Sequence, residues 1–195
     1  PYWWADNDEY SQHTNRVFGN AYAEYSPKLN WGKNYKIVFR EQAGIDMYTS
    51  NNSEIAEVGS AKNTKGEVEN IGTQNNIFNN LLTANFTAKW GANEEWDFGF
   101  VLGNEFNHQY RRKWDYDGTG LAFYGQPTIG NTSSMDAHSD YHIQERTVGV
   151  FGQMSLSWMD MLFLTVTGRN DVVSTMPRGN RSFFYPSVSL GWIFT

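Results

Sequence analysis

The chain has 195 residues, a formal net charge of −6 and no cysteine. The last two exclude a disulfide framework and a thiolate metal site and argue against nucleic acid as a partner, because no Lys/Arg cluster offsets the acidic balance. Mean hydropathy is −0.60, and no apolar run approaches the ~18 residues of a membrane helix; a barrel strand, which shows lipid only every second residue, escapes that test.

Seven segments alternate apolar and polar residues with period two, the signature of strands: 16–30, 35–48, 77–90, 97–112, 144–158, 161–174 and 182–195. No stretch of similar length carries a 3.6-residue apolar stripe. In 35–48 one face holds Tyr35, Ile37, Phe39, Ala43, Ile45 and Met47, with Glu41 as an anomaly. A charge facing mid-bilayer is costly, so Glu41 stands above the bilayer or a bulge shifts the register. In 97–112, Phe98, Phe100, Leu102 and Phe106 oppose Asp97, Gly99, Gly103 and Glu105. In 144–158, Val148, Val150, Met154, Leu156 and Trp158 oppose Thr147, Gly149, Gln153, Ser155 and Ser157. In 161–174, Leu162, Leu164 and Val166 oppose Thr165, Thr167, Arg169 and Asp171; in 182–195, Val188, Leu190 and Trp192 oppose Ser187, Ser189 and Gly191. The second face is polar and small, which suits a water-filled or plugged lumen.

The connections run short (31–34), long (49–76), short (91–96), long (113–143), short (Met159 and Asp160) and intermediate (175–181). Antiparallel membrane barrels alternate short periplasmic turns with longer outer loops. Aromatic residues reach 16%, and they cluster where a barrel carries its girdles. Trp31, Tyr35, Trp90, Trp96, Trp158, Phe163, Trp192 and Phe194 lie by the short turns or the matching end; Tyr48, Phe78, Tyr110 and Tyr185 lie toward the long connections. The expected fold is all-β: about seven consecutive antiparallel strands of a larger transmembrane barrel. The absence of an initial Met, the stop inside an alternating segment and the odd strand count lead to the expectation that both ends are cuts.

Two strings carry a more specific signal: Leu164-Thr165-Val166-Thr167-Gly168-Arg169-Asn170-Asp171, and Asn180-Arg181-Ser182-Phe183-Phe184-Tyr185-Pro186-Ser187-Val188-Ser189. With Pro1-Tyr2-Trp3-Trp4-Ala5-Asp6-Asn7, Arg16-Val17-Phe18-Gly19-Asn20, Asn80-Leu81-Leu82-Thr83 and Leu102-Gly103-Asn104-Glu105-Phe106, the chain resembles SusC/RagA-type TonB-dependent outer-membrane receptors, in consistent order over nearly its whole length. The resemblance implies a parent barrel of about 22 strands in the outer membrane of a Bacteroidetes cell. It implies TonB-driven import of nutrients, glycans or peptides, with a SusD-like lipoprotein as lid and membrane lipid around the wall. Residues 1–195 would be part of the barrel domain. Nothing here resembles the plug, so TonB coupling is expected through a region outside this chain.

No catalytic constellation is present, and neither enzyme activity nor a cofactor is expected. No G-x-S-x-G elbow occurs, and Asp97 and Glu105 carry no mark of a tuned acid–base pair. Asp115-Tyr116-Asp117-Gly118 opens like a calcium loop but lacks the Glu at the twelfth position. His138 and His142 read as loop histidines, and no metal is expected. Arg169, Asp171, Asp97 and Glu105 are expected to face the lumen, Arg169 and Asp171 ion-paired with a neighbouring strand so that charges in the wall are satisfied, with contact to plug or solute as the other reading. Trp114, Tyr116, Phe123, Tyr124 and Tyr141, in the loop 113–143, are the candidates for contact with substrate or partner. The competing readings are a secreted carbohydrate-binding β-sandwich and a siderophore receptor or porin barrel.

Overall fold

A computed structural model describes residues 2–28 and 34–194. Trp31 and all but Asn34 of the expected turn at 31–34 lie outside the described residues. A short helix, α1 (Tyr2–Asn7), precedes seven strands: β1 (Glu9–Tyr25), β2 (Tyr35–Ala56), β3 (Glu67–Trp90), β4 (Trp96–Leu121), β5 (Thr132–Trp158), β6 (Leu162–Val173) and β7 (Ser182–Trp192). They form one sheet in the order β1-β2-β3-β4-β5-β6-β7, so every strand lies beside its sequence neighbours. Among the described residues no helix is long and apolar enough to cross a membrane.

All seven expected strands are present, but several run further than side-chain periodicity indicates. The connections read as 49–76 and 113–143 shrink to 57–66 and 122–131. The cause is physical. Backbone pairing requires only that each N–H and C=O find a partner, whereas alternation appears only where one face must be apolar. Where neither face must be, polar residues continue the ladder without a periodic signal.

Two compact units are distinguishable. The first comprises Pro1–Phe18, Asp46–Ile77 and Gln109–Gln144. Its small core holds Ala56, Val68 and Leu121, with Glu57 and Ser60 also buried. Gly66 has φ +79°, and a Cβ there would stand 2.6 Å from Leu121 Cδ1, so the position demands glycine on both counts. Asp8, just past α1, latches the 57–66 connection: its carboxylate accepts from the Glu57 N–H at 3.1 Å and the Ser60 hydroxyl at 2.6 Å.

The second unit comprises Gly19–Ile45, Phe78–His108 and Glu145–Thr195. Its register confirms the two-faced reading. Leu156, Leu164 and Leu190 form one cross-strand row, as do Met154, Val166 and Val188; the intervening rows are Ser155, Thr165 and Ser189, then Gln153, Thr167 and Ser187. Val188 and Leu190 are each 70% exposed and Trp192 is 68% exposed. A β-sandwich buries such residues against a second sheet, so the sandwich reading fails. The β5–β6 hairpin is closed by Met159 and Asp160, both with positive φ (52° and 54°), and the Met161 N–H donates to Trp158 O at 3.0 Å. Positive φ at both central residues matches the right-handed strand twist.

Candidate functional site

In the second unit, rings line one end of the apolar face. Tyr35 stacks on Phe86, Phe86 meets Phe98, Trp90 stacks on Trp96 and Trp96 meets Trp158, with centroids 6.0–6.3 Å apart. Trp158, Leu162 and Trp192 share a cross-strand row. Two expected girdle members depart from this. Phe163 pairs with Ser157 and Gly191, and Tyr185 pairs with Arg169, so both belong to the polar face. Proximity to a strand end specifies a level along the strand; parity specifies the face.

The polar face of this unit carries an ion-pair cluster. Arg169 Nε donates to Asp171 Oδ1 at 2.8 Å, and Nη2 donates to Glu105 Oε2 of β4 at 2.7 Å. To reach β4 the side chain crosses β5 at Gly149, where a Cβ would lie 2.7 Å from Arg169 Nη2. The guanidinium also sits 5.7 Å from the Phe151 ring centroid, a cation–π distance. Phe151 in turn lies over Gly103, where no Cβ fits. Asp97, eight residues along β4 from Glu105 and so of the same parity, pairs separately with Lys89 at 3.2 Å. Three of the four expected lumen residues thus meet; in place of an ion pair with a neighbouring strand, Arg169 holds Asp171 on its own strand and Glu105 on β4, one strand beyond β5.

In the first unit, the loop candidates are dispersed. Trp114 and Tyr116 lie in β4 and Tyr141 in β5; only Phe123 and Tyr124 lie in a connection. Trp114 and Tyr116 join residues that the sequence reading did not single out. Arg112 sits 5.5 Å from the Trp114 centroid and 3.3 Å from Asp140. The Tyr116 hydroxyl donates to Asp140, and Tyr110 stacks on His142 at 6.0 Å. Trp114 covers Gly72, where a Cβ would strike the indole. Tyr124 donates instead to Asn7 at 3.0 Å. The signal that could have revealed Arg112 and Asp140 is opposite charge on adjoining strands, readable only once β4 and β5 are known to extend that far.

Asp140, Asp117 and Lys62 lie beyond the segments expected to cross the membrane. The Tyr116 hydroxyl holds the Asp140 carboxyl below the usual carboxylate range; burial opposes this, and Arg112 adds to it. Burial, then the charge of Glu67, pushes the Asp117 carboxyl up. Burial works against the Lys62 ammonium, but hydrogen bonds to Glu67 (2.8 Å) and Glu54 (3.0 Å) outweigh it and raise its pKa. Oδ1 of Asp115 and of Asp117 is buried without a hydrogen-bond partner. Both residues lie within a strand, not in the turning backbone that a calcium loop needs to converge its ligands. His138 and His142 are likewise in β5, not in a loop. Among the described residues no group of three or more His, Cys, Asp or Glu can hold a metal.

Comparison with known proteins gives the same architecture. The chain superposes on chains of the RagAB peptide transporter with TM-score 0.74 and 16% identity, covering 96% of this chain and 20% of the other. For the RagAB peptide importer in its "open-open" state the values are 0.68, 18%, 96% and 20%. For BauA, the ferric preacinetobactin receptor of Acinetobacter baumannii, they are 0.52, 15%, 93% and 28%. The chain therefore spans about a fifth of the RagAB chains it matches. No curated protein sequence matches it. The family model for the TonB dependent receptor-like β-barrel matches residues 1–195; members are outer-membrane receptors, and the chain belongs to this family.

Proposed function

We propose that this chain forms part of the wall of a SusC/RagA-type importer of the outer membrane, which takes up peptides or glycans through TonB with a SusD-like lipoprotein as lid. The observation that carries this reading is one sheet of consecutive antiparallel strands with an exposed apolar face and a ladder of aromatic rings at one of its ends. Such a face is stable only against lipid or another apolar surface. In this reading the polar face looks into the lumen. Arg169 offsets one of the two carboxylates, Asp171 and Glu105, that it holds there, so the cluster leaves a single net negative charge on the lumen wall. Asp97 is held likewise by Lys89.

Peptide is favoured over glycan by the fold likeness to a peptide transporter. The binding candidates are Trp114 and Tyr116 with Arg112 and Asp140: aromatic planes beside paired charges suit peptide backbones and sugar rings alike. Phe123 and Tyr124, 67% and 68% exposed on their connection, and Tyr141 on β5 are secondary candidates. The test uses the full-length receptor in cells. Trp114→Ala should weaken uptake or lipoprotein co-purification by roughly 2- to 10-fold, the value of one stacking contact, at unchanged outer-membrane abundance. Uptake of labelled oligopeptides and of oligosaccharides is measured in parallel. Full uptake and full co-purification in a Trp114→Ala, Tyr116→Ala variant of normal abundance would remove the platform from the mechanism. Lipoprotein-independent uptake would remove the lid.

A further inference from the structure

Glu41 shares the face of Tyr35, Ile37 and Phe39 on β2 by alternation. In the second unit its carboxylate accepts a hydrogen bond from Asn80 Nδ2 of β3. Ring contacts bring β3 against β4. Phe86 meets Phe98 at 6.1 Å and, eight residues along each strand, Phe78 meets Phe106 at 6.2 Å. Trp90 stacks on Trp96 two residues off that offset, so Asn104 of β4 lies within two residues of the position opposite Asn80. Trp96 meets Trp158, and the same offset brings Gly103 against Phe151, so Asn104 stands opposite Val150. Val150 pairs with Asn170. Glu41, Asn80, Asn104 and Asn170 therefore lie within two adjacent rows of the apolar face, toward the end away from the tryptophans.

Between these residues and the tryptophans each strand of this face carries only apolar residues, glycine and proline; the next positions along β2 to β7 are Phe39, Leu82, Leu102, Gly152, Gly168 and Pro186. The polar side chains have partners within the sheet. Asn104 Nδ2 donates to Gly149 O at 3.3 Å, and Asn170 Oδ1 accepts from Ser182 Oγ at 2.9 Å. From Trp158 to Val150 the strand advances eight residues. At about 3.4 Å per residue and a tilt of about 40°, this is about 21 Å along the membrane normal, close to the ~25 Å apolar band of such barrels. A carboxylate is expensive at the middle of that band and inexpensive at its edge. Phe78 and Phe106, two residues further along β3 and β4, stand where the second aromatic girdle belongs.

We infer that Glu41, Asn80, Asn104 and Asn170 bind the polar headgroup layer of the leaflet opposite the tryptophans, and so fix how deeply the wall sits. The inference rests on the barrel-wall reading of this unit. It accounts for Glu41 without a bulge.

The experiment places single nitroxide labels through cysteine in the full-length receptor, reconstituted in phosphatidylcholine vesicles, and compares collision with oxygen and with a water-soluble nickel chelate. Labels at positions 100 and 188 should be oxygen-rich and nickel-poor. Labels at 80, 104 and 170 should collide with nickel severalfold more often. If those three resemble position 100, they lie inside the hydrocarbon and the inference is overturned while the barrel wall stands. If 100 and 188 are themselves nickel-accessible, the barrel-wall reading fails and takes the inference with it. A second variant, Asn80→Leu with Asn104→Leu, should move a label at position 78 toward the oxygen-rich layer; an unmoved label would show that these residues do not set depth.

Discussion

Two arginines in this chain share one set of contacts, and the two units use it differently. Arg169 lies beside Phe151, which covers Gly103; Arg112 lies beside Trp114, which covers Gly72. Each also holds a carboxylate. Arg169, however, binds two, and it crosses a strand over a glycine to reach the second. Arg112 binds one, which it shares with the Tyr116 hydroxyl. Side-chain exposure is 36% for Arg169 and 19% for Asp171, against 45% and 42% for Arg112 and Asp140. A crossing triad ties three strands and limits rearrangement. An exposed pair holds its geometry loosely and leaves charge available to a partner. One reads as wall, the other as surface.

The largest expected effect breaks the first arrangement. Gly149→Val places a branched side chain where Arg169 passes, and overpacking of that kind costs about 1–3 kcal/mol. Folded receptor in the outer membrane should fall, while the equivalent change at Gly19, with nothing within 4 Å of its Cβ, should leave abundance unchanged. Next comes Arg169→Ala, which leaves Glu105 and Asp171 facing each other. Partial exposure limits the loss to about 1 kcal/mol, read as a lower midpoint of urea unfolding in detergent. Smaller still is Arg112→Ala. Its stability effect should vanish in 0.5 M salt, because the Debye length there is only about 4 Å. A salt-insensitive loss at Arg112 equal to that at Arg169 would erase the distinction between the two sites.

Strand number, neighbour order and the two faces of β5–β7 were legible in the sequence, because the rows Leu156/Leu164/Leu190 and Ser155/Thr165/Ser189 enforce parity. The triad was legible in part: Arg169 and Asp171 lie two residues apart, but the reach to Glu105 depends on the gap at Gly149, which no pattern announces. The platform was not legible as such. Trp114, Tyr116 and Tyr141 looked like loop residues because Asp, Gly and Asn around them carry no alternation, although their backbone continues the ladder. The connection at 31–34 cannot be compared, since 29–33 lie outside the described residues.

The smallest expected effect concerns two carboxylates of the first unit that titrate in opposite directions. Asp140 has a lowered pKa, chiefly through Tyr116. A lowered carboxylate contributes stability above its unfolded value near 3.9, and that contribution disappears as pH falls through the folded value. Asp117 has a raised pKa, chiefly through burial and then Glu67. Its ionised form disfavours the folded segment above the unfolded value, and protonation relieves this as pH falls through the raised one. Asp140→Asn should therefore reduce hydrogen-exchange protection of 132–142 at pH 7, and Asp117→Asn should increase protection of 112–121. Both differences should shrink as pH falls: at Asp117 as pH passes through its raised folded value, and at Asp140 only at lower pH, through its lowered one. A loss of protection in Asp117→Asn at pH 7 would mean that the buried carboxylate has a favourable partner there, and the assignment of its raised pKa to burial and Glu67 would be wrong.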